Sequence, residues 1–278
     1  MTVTRFAPSP TGLLHLGHAH SALFARQQAA GGIFLLRHED IDSGRCRPDF
    51  IAAIEEDLTW LGLDWPKPAR RQSEHLADYT AALEKLEAMG LLYPCFCTRT
   101  DIAREIEQSG HAPHGPDGPL YPGLCRSLSA TEIEDRKAAG QAFALRLNMA
   151  EAVRMAGPLR WHDLSAGWQE AEPQQFGDVV LARKDVPTSY HLAVTLDDAL
   201  QGVTLVTRGM DLFPASHLHR LLQALLELPV PDWHHHRLLT DENGKRFAKR
   251  DKSLTLLALR QAGKTPDQVR AMAGFSAS

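Results

Sequence analysis

The most informative residues of the 278-residue chain are two histidines three positions apart, in Arg5-Phe-Ala-Pro-Ser-Pro-Thr-Gly12-Leu-Leu-His15-Leu-Gly17-His18. At the start of a helix, positions three apart share a face, and the backbone N–H groups and helix dipole there favour phosphate. Paired imidazoles in that place can donate to a pentavalent phosphate transition state. Gly17, without a side chain, lets an adenine or a ribose approach the backbone closely.

Four further groups carry chemistry. Leu36-Arg-His-Glu39-Asp40-Ile-Asp42 offers three acids, suited to binding Mg²⁺, capping the next helix or holding an ammonium group. Tyr190 in Ser189-Tyr190-His191 and Arg208 in Val206-Thr-Arg208-Gly209-Met-Asp211 read as residues at successive strand ends. There an arginine can clamp a carboxylate through two bonds and a tyrosine can add a neutral one. Asn243-Gly-Lys245-Arg246-Phe-Ala248-Lys249-Arg250 is a turn followed by clustered cations, the composition of a loop that closes on a triphosphate. Cys95-Phe-Cys97 and Cys125 bring three thiols within thirty-one positions, a structural zinc pattern without a fourth ligand at an obvious spacing. On chemistry alone His111 and His114 are candidates for it.

These groups must be held by regular elements. An apolar run at 3–7, a Pro/Ser/Thr/Gly loop at 8–12, a helical stretch ending at Gly31-Gly32 and an apolar run at 33–36 read as one βαβ unit. Such units build parallel sheets whose ligands bind at the carboxyl edge, where both the histidine segment and the acids fall. The spacing of Ile51, Ile54, Leu58 and Leu61 predicts a helix before Gly62. Ser73 is expected to cap another that carries Leu76, Leu83 and Leu86 and ends at Gly90. From Tyr93 to about Phe176 the texture changes to cysteines, a Gly/Pro/His-rich stretch and the capping box Ser129-Ala-Thr-Glu132, which predicts an inserted subdomain. Residues 191–196 and 203–207 read as strands, 218–228 as a helix, Asn243-Gly244 as a tight turn, and His234-His235-His236 as a surface or packing feature.

Composition bounds the rest. With 44% hydrophobic and 23% charged residues the chain is globular, and 34 acids against 30 bases exclude a wholly basic nucleic-acid coat while leaving room for a local patch. No apolar stretch approaches the ~20 residues of a membrane helix, and Met1 to Arg5 lacks the features of a signal peptide, so a cytoplasmic protein without a membrane partner is expected. Four cysteines are too few for a disulfide scaffold, and Cys46 stands apart from the other three.

The histidine segment resembles the HIGH signature of class I aminoacyl-tRNA synthetases, and the wider Arg-Phe-Ala-Pro-Ser-Pro-Thr-Gly is similar to the opening of their glutamyl branch. Arg246-Phe-Ala-Lys249-Arg250 resembles the KMSKS loop, with Ala248 where a serine is usual. The resemblance runs from Arg5 to Arg250. It implies an α/β fold, a Rossmann-type class I catalytic domain with an inserted zinc-containing α/β subdomain. The implied division is 1–93 and 176–232 for the two catalytic halves, 94–175 for the insertion and 233–278 for the KMSKS-like loop and a short tail. It also implies catalytic roles for His15, His18 and Lys249, ATP contacts from these and from Pro10 and Gly17, and Mg²⁺ with ATP. Glutamate contacts are implied for Arg5, Ala7, Ser9, Glu39, Tyr190 and Arg208, with Glu39 on the ammonium. Arg5 and Arg208 would balance the two carboxylates and reject glutamine, whose neutral amide leaves a guanidinium unpaired.

Only 28 residues follow Arg250, too few for the anticodon-binding domain of full-length glutamyl-tRNA synthetases, and in this the chain resembles the glutamyl-Q tRNA(Asp) synthetases. In that group glutamate is attached to the queuosine base of tRNA(Asp), and a tyrosine, here Tyr121, completes the zinc set of Cys95, Cys97 and Cys125. A monomer is expected, with Arg45, Arg47, Arg70 and Arg71 as a patch for the anticodon stem-loop. The alternatives are a compact glutamyl-tRNA synthetase charging a 3′ end, a ligase with a non-RNA acceptor, and a non-catalytic glutamate- or tRNA-binding regulator.

Overall fold

A computed structural model describes residues 1–109, 114–239 and 255–275. Strand β1 (Val3–Phe6), helix α1 (Leu16–Gln28) and strand β2 (Ile33–His38) form the expected βαβ unit, with the two strands parallel and Val3 opposite Ile33. Helix α2 (Pro48–Trp60) starts on a proline and is followed by Gly62 at φ +75°, the pattern that begins and ends a helix with least strain. Strand β3 (Arg70–Arg71) pairs with the end of β2. Helix α3 (Leu76–Ala88) is not capped by Ser73, which lies in a 3₁₀ turn and donates its hydroxyl to Asp40 Oδ2 at 2.7 Å. His75 holds the cap position instead.

The middle of the chain contains β4 (Leu92–Cys95), α4 (Arg99–Ser109), and a hairpin of β5 (His114–Gly115) and β6 (Gly118–Pro119). It continues with α5 (Ala130–Ala138), β7 (Ala144–Leu147), α6 (Met149–Ala156), β8 (Arg160–Asp163) and β9 (Gly167–Glu170). Ser129 and Glu132 form the capping box of α5, as their spacing predicts. Then come β10 (Val180–Ala182), α7 (Tyr190–Leu200), β11 (Leu205–Gly209), α8 (Ala215–Leu226), β12 (Asp232–His236), α9 (Leu256–Gln261) and α10 (Pro266–Met272).

Residues 191–196, read from sequence as a strand, are helical. Ser189 caps α7 by accepting from Leu192 N, and Leu192 to Asp198 are all buried. A helix enclosed on every side shows a short continuous apolar run rather than a 3.6-residue period, so pattern alone cannot tell it from a buried strand.

Strands β1, β2 and β3 form one parallel sheet, and β11, β12 and β8 form a second, with β9 antiparallel at its edge. The two meet at β1 and β11, where Thr204 N donates to Val3 O at 3.0 Å. Strands β4, β7 and β10 make a separate antiparallel sheet. Strand β8 lies within the span expected to be an insertion, yet it pairs with β12. One core gathers α1, α2 and the C-terminal helices around Leu16, Ile54, Leu58 and Leu256. A second packs α3, α7 and α8 around Tyr79, Leu192 and Leu221. Among the described residues no helix is long and apolar enough to cross a membrane.

Candidate active site

The loop from β1 to α1 is pinned by the backbone: Glu39 N donates to Pro8 O at 3.1 Å and Arg47 N to Pro10 O at 3.1 Å. The helix that follows is capped by its own histidines. His15 Nδ1 accepts from Gly17 N at 3.1 Å, and His18 Nδ1 accepts from His15 N at 3.2 Å. The rings stack with centroids 3.7 Å apart. Each Nδ1 is therefore a lone-pair acceptor, which puts the proton of each neutral ring on Nε2. A methyl on Gly17 would lie 3.0 Å from His15 Cε1, so the glycine makes room for that ring.

His15, Gly17 and His18 line a cavity of about 590 Å³ together with Arg5, Ala7, Glu39, Tyr190 and Arg208. Eight residues singled out from separate stretches of sequence thus face one space. Ser9, which is exposed, and Pro10, which is buried, do not line it. Lys249, the rest of the basic turn and Asn243-Gly244 lie outside the described residues.

The three acids after β2 separate. Asp40 accepts from Ser73 and Asp42 from Arg45, and helix α2 has no side-chain cap, so neither acid caps it. Glu39 enters the cavity with its side chain 9% exposed, and burial pushes its carboxyl up to about 7 despite Arg37 and Arg5 nearby.

Behind it lies a buried charge network. Asp198 accepts from Arg5 Nε at 2.9 Å and from Arg37 Nη2 at 2.8 Å. Asp197 accepts from Arg70 Nε at 2.8 Å, Gln72 Nε2 at 2.8 Å and the Tyr79 hydroxyl at 3.0 Å. Two adjacent acids on α7 thereby tie together the ends of β1, β2 and β3. Arg70 is consequently turned inward, 15% exposed, whereas Arg45, Arg47 and Arg71 are exposed.

The two arginines expected to balance carboxylates differ. Arg5 is already paired with Asp198 and also donates to Thr207 O at 2.9 Å. Arg208 has no acidic partner within ion-pair distance among the described residues. It donates to Ser216 Oγ at 2.7 Å, His235 Nε2 at 3.1 Å and His219 Nδ1 at 3.2 Å. Neutral groups orient it and leave its charge for a ligand. Burial raises the Tyr190 phenol, which stays a protonated donor beside it. Tyr190 begins helix α7 rather than ending a strand. His235 and His236 are buried on β12, which agrees with a packing role for the histidine run.

Cys95, Cys97 and Cys125 converge with their Sγ atoms within 4.8 Å of one another. Tyr121 Oη lies 3.4 Å from Cys95 Sγ and 3.5 Å from Cys97 Sγ, and accepts from Cys125 N at 2.9 Å. Zinc–sulfur bonds of ~2.3 Å set tetrahedral donors roughly 3.8 Å apart, so the four groups have the chemistry and closeness of a structural metal set. Burial pushes the Cys97 thiol up to about 11. A cation is what would deprotonate it. His111 and the side chain of His114 lie outside the described residues, and Cys46 is remote, near Glu39 O.

Asp197, Asp198, Arg37, His219 and Asp163 were not assigned roles from sequence. Their signal was present: charged residues inside apolar runs are rarely buried unless paired. Their partners are not legible, because Arg5 and Asp198 are 193 positions apart.

Residues 1–273 match the family described as tRNA synthetases class I (E and Q), catalytic domain, and the chain belongs to it. It is 50% identical to the glutamyl-Q tRNA(Asp) synthetase of Rhodobacter capsulatus over 98% of this chain and 100% of that one. It is 42% identical to the protein of the same name from Symbiobacterium thermophilum over 97% of this chain and 84% of that one. Within the family the chain belongs with the glutamyl-Q tRNA(Asp) synthetases. A glutamate tRNA ligase from Elizabethkingia meningosepticum, solved with its amino acid, is similar with a TM-score of 0.76 and 29% identity, over 90% of this chain. The chain spans about half, 52%, of that ligase.

Proposed function

We propose that the protein activates L-glutamate with ATP and transfers it to the queuosine base at the wobble position of tRNA(Asp). The glutamate carboxylate attacks the α-phosphorus, releasing pyrophosphate, and a hydroxyl of the queuosine base then attacks the adenylate carbonyl, releasing AMP. The observation that carries this reading is one cavity holding an acid for an ammonium group, a guanidinium with no acidic partner among the described residues for a carboxylate, and paired imidazoles at a helix start for a phosphate. The names of the relatives support the acceptor.

In this reading Glu39 pairs with the α-ammonium, and Arg208 with Tyr190 holds a carboxylate. Arg5 and Ala7, which line the same cavity, complete the glutamate contacts. His15 and His18 donate from Nε2 to the phosphate, Gly17 adjoins ATP with its Mg²⁺, and Lys249 supplies the cation that travels with pyrophosphate. Protein groups position and neutralise charge more than they exchange protons. Residues 1–93 and 176–232 form the catalytic halves, 94–175 the insertion and 233–278 the KMSKS-like segment and short tail. Cys95, Cys97, Tyr121 and Cys125 would hold a structural Zn²⁺, which would tie the end of β4 to the 121–125 turn.

The test is transfer of labelled glutamate, with ATP and Mg²⁺, to tRNA(Asp) with and without queuosine and to tRNA(Glu). Label on queuosine-containing tRNA(Asp) alone is the expected result. Label on tRNA(Glu) would make the protein a compact aminoacylating enzyme, and label on neither, with pyrophosphate exchange intact, would mean another acceptor.

A further inference from the structure

Arg208 is held by two chains of hydrogen bonds whose polarity can be read from end to end, and each finishes on a carboxylate between residues 94 and 175. An arginine can only donate. Its Nε bond to His235 Nε2 makes that nitrogen an acceptor, which leaves the ring proton on Nδ1, directed at Asp163 Oδ2 at 2.7 Å. The second chain is longer. Arg208 Nη1 donates to His219 Nδ1, so His219 carries its proton on Nε2 and donates to His191 Nδ1 at 3.2 Å. His191 then carries its proton on Nε2 and donates to Asp117 Oδ2 at 3.2 Å. His219 is 4% exposed, and burial together with the adjacent guanidinium keeps it neutral, as an accepting and donating ring requires.

Asp117 sits at the turn of the β5–β6 hairpin with its side chain 66% exposed. The hairpin is closely seated: a methyl on Gly115 would collide with Gln175 O and Leu120 Cδ2. Phe176, which follows Gln175, packs edge-on against the His191 ring at 5.8 Å. None of Asp117, His191 and His219 lines the cavity. They touch Arg208 in series, so their effect on a substrate passes through its guanidinium.

We propose that Asp117, His191 and His219 form a one-way hydrogen-bond relay that positions the Arg208 guanidinium, making the β5–β6 hairpin a determinant of glutamate binding. The carboxylate at the far end polarises both imidazoles and strengthens the acceptor at His219 Nδ1. Without it the guanidinium has a weaker anchor on that side and samples more orientations. The inference rests on the reading of Arg208 as the carboxylate clamp.

The test is glutamate-dependent pyrophosphate exchange with the full chain. Asp117→Ala, at an exposed position, should raise the KM for glutamate about threefold, with kcat, the KM for ATP and Tm unchanged. His191→Leu should raise it about tenfold. His191→Gln, whose carboxamide can accept from His219 and donate to Asp117, should restore it. The Asp117→Ala/His191→Leu double variant should be no worse than His191→Leu, because both break one chain. Arg208→Lys is the control. If it raises the glutamate KM while Asp117→Ala leaves it unchanged, the relay is overturned and the site reading stands. If Arg208→Lys also leaves it unchanged, the reading beneath fails.

Discussion

Acidification through neutrality should weaken glutamate binding through Glu39. Burial holds this carboxyl at about 7 rather than 4.5, against the attraction of Arg37 and Arg5. In the empty site only the ionised fraction can pair with an ammonium group, and the charges of free glutamate do not change between pH 6 and 8. That fraction is ~0.9 at pH 8 and ~0.1 at pH 6, so the apparent Kd should rise about tenfold over the interval. The sign for stability is opposite. The unfolded chain ionises this group near 4.5 and the native chain only near 7, so native stability is lost as pH rises between the two. At pH 8 the buried charge costs up to about 3 kcal/mol. Glu39→Gln should therefore bind glutamate more weakly at pH 8, lose the pH dependence, and melt at a higher temperature than the parent. Calorimetric titration with glutamate at pH 6, 7 and 8, with thermal melts at the same values, measures all three. A parent Kd that is flat across the range, or a tenfold change that persists in Glu39→Gln, would refute the assignment.

Other outcomes follow from single contacts. Gly17→Ala should push the His15 ring back by a few tenths of an ångström and lower kcat for pyrophosphate exchange on the order of tenfold with little change in Tm, since the added methyl would lie 3.0 Å from that ring. Asp197→Asn should destabilise the fold by about 3 to 5 kcal/mol in denaturant titration, because it leaves Arg70 and its buried neighbours without their charged acceptor. Cys125→Ser should reduce zinc content measured by atomic emission and expose the 95–125 region to protease, whereas Cys46→Ser, at a cysteine outside the cluster, should do neither.

Much of the site was legible because its motifs are local. The loop between β1 and α1 carries its histidines and glycine in one stretch, and capping, helix start and phosphate affinity all follow from near neighbours. Glu39 was legible for the same reason, as the first acid after an apolar strand. The cysteines required a wider view, since Cys97 and Cys125 meet across 28 positions, yet three thiols in so short a span already pointed to the cluster that the fold assembles.

Charge pairing was not legible. Sequence presented Arg5 and Arg208 as equivalent cations, and the fold gives Arg5 a carboxylate and, among the described residues, gives Arg208 neutral hydrogen-bond partners. Helix α7 was misread because enclosure on all sides erases its period. Residue type and local spacing thus determined which chemistry the chain carries. Tertiary structure decided which charges remain for a ligand, because burial and pairing depend on which strand ends lie side by side, and that ordering is set by contacts some two hundred residues apart.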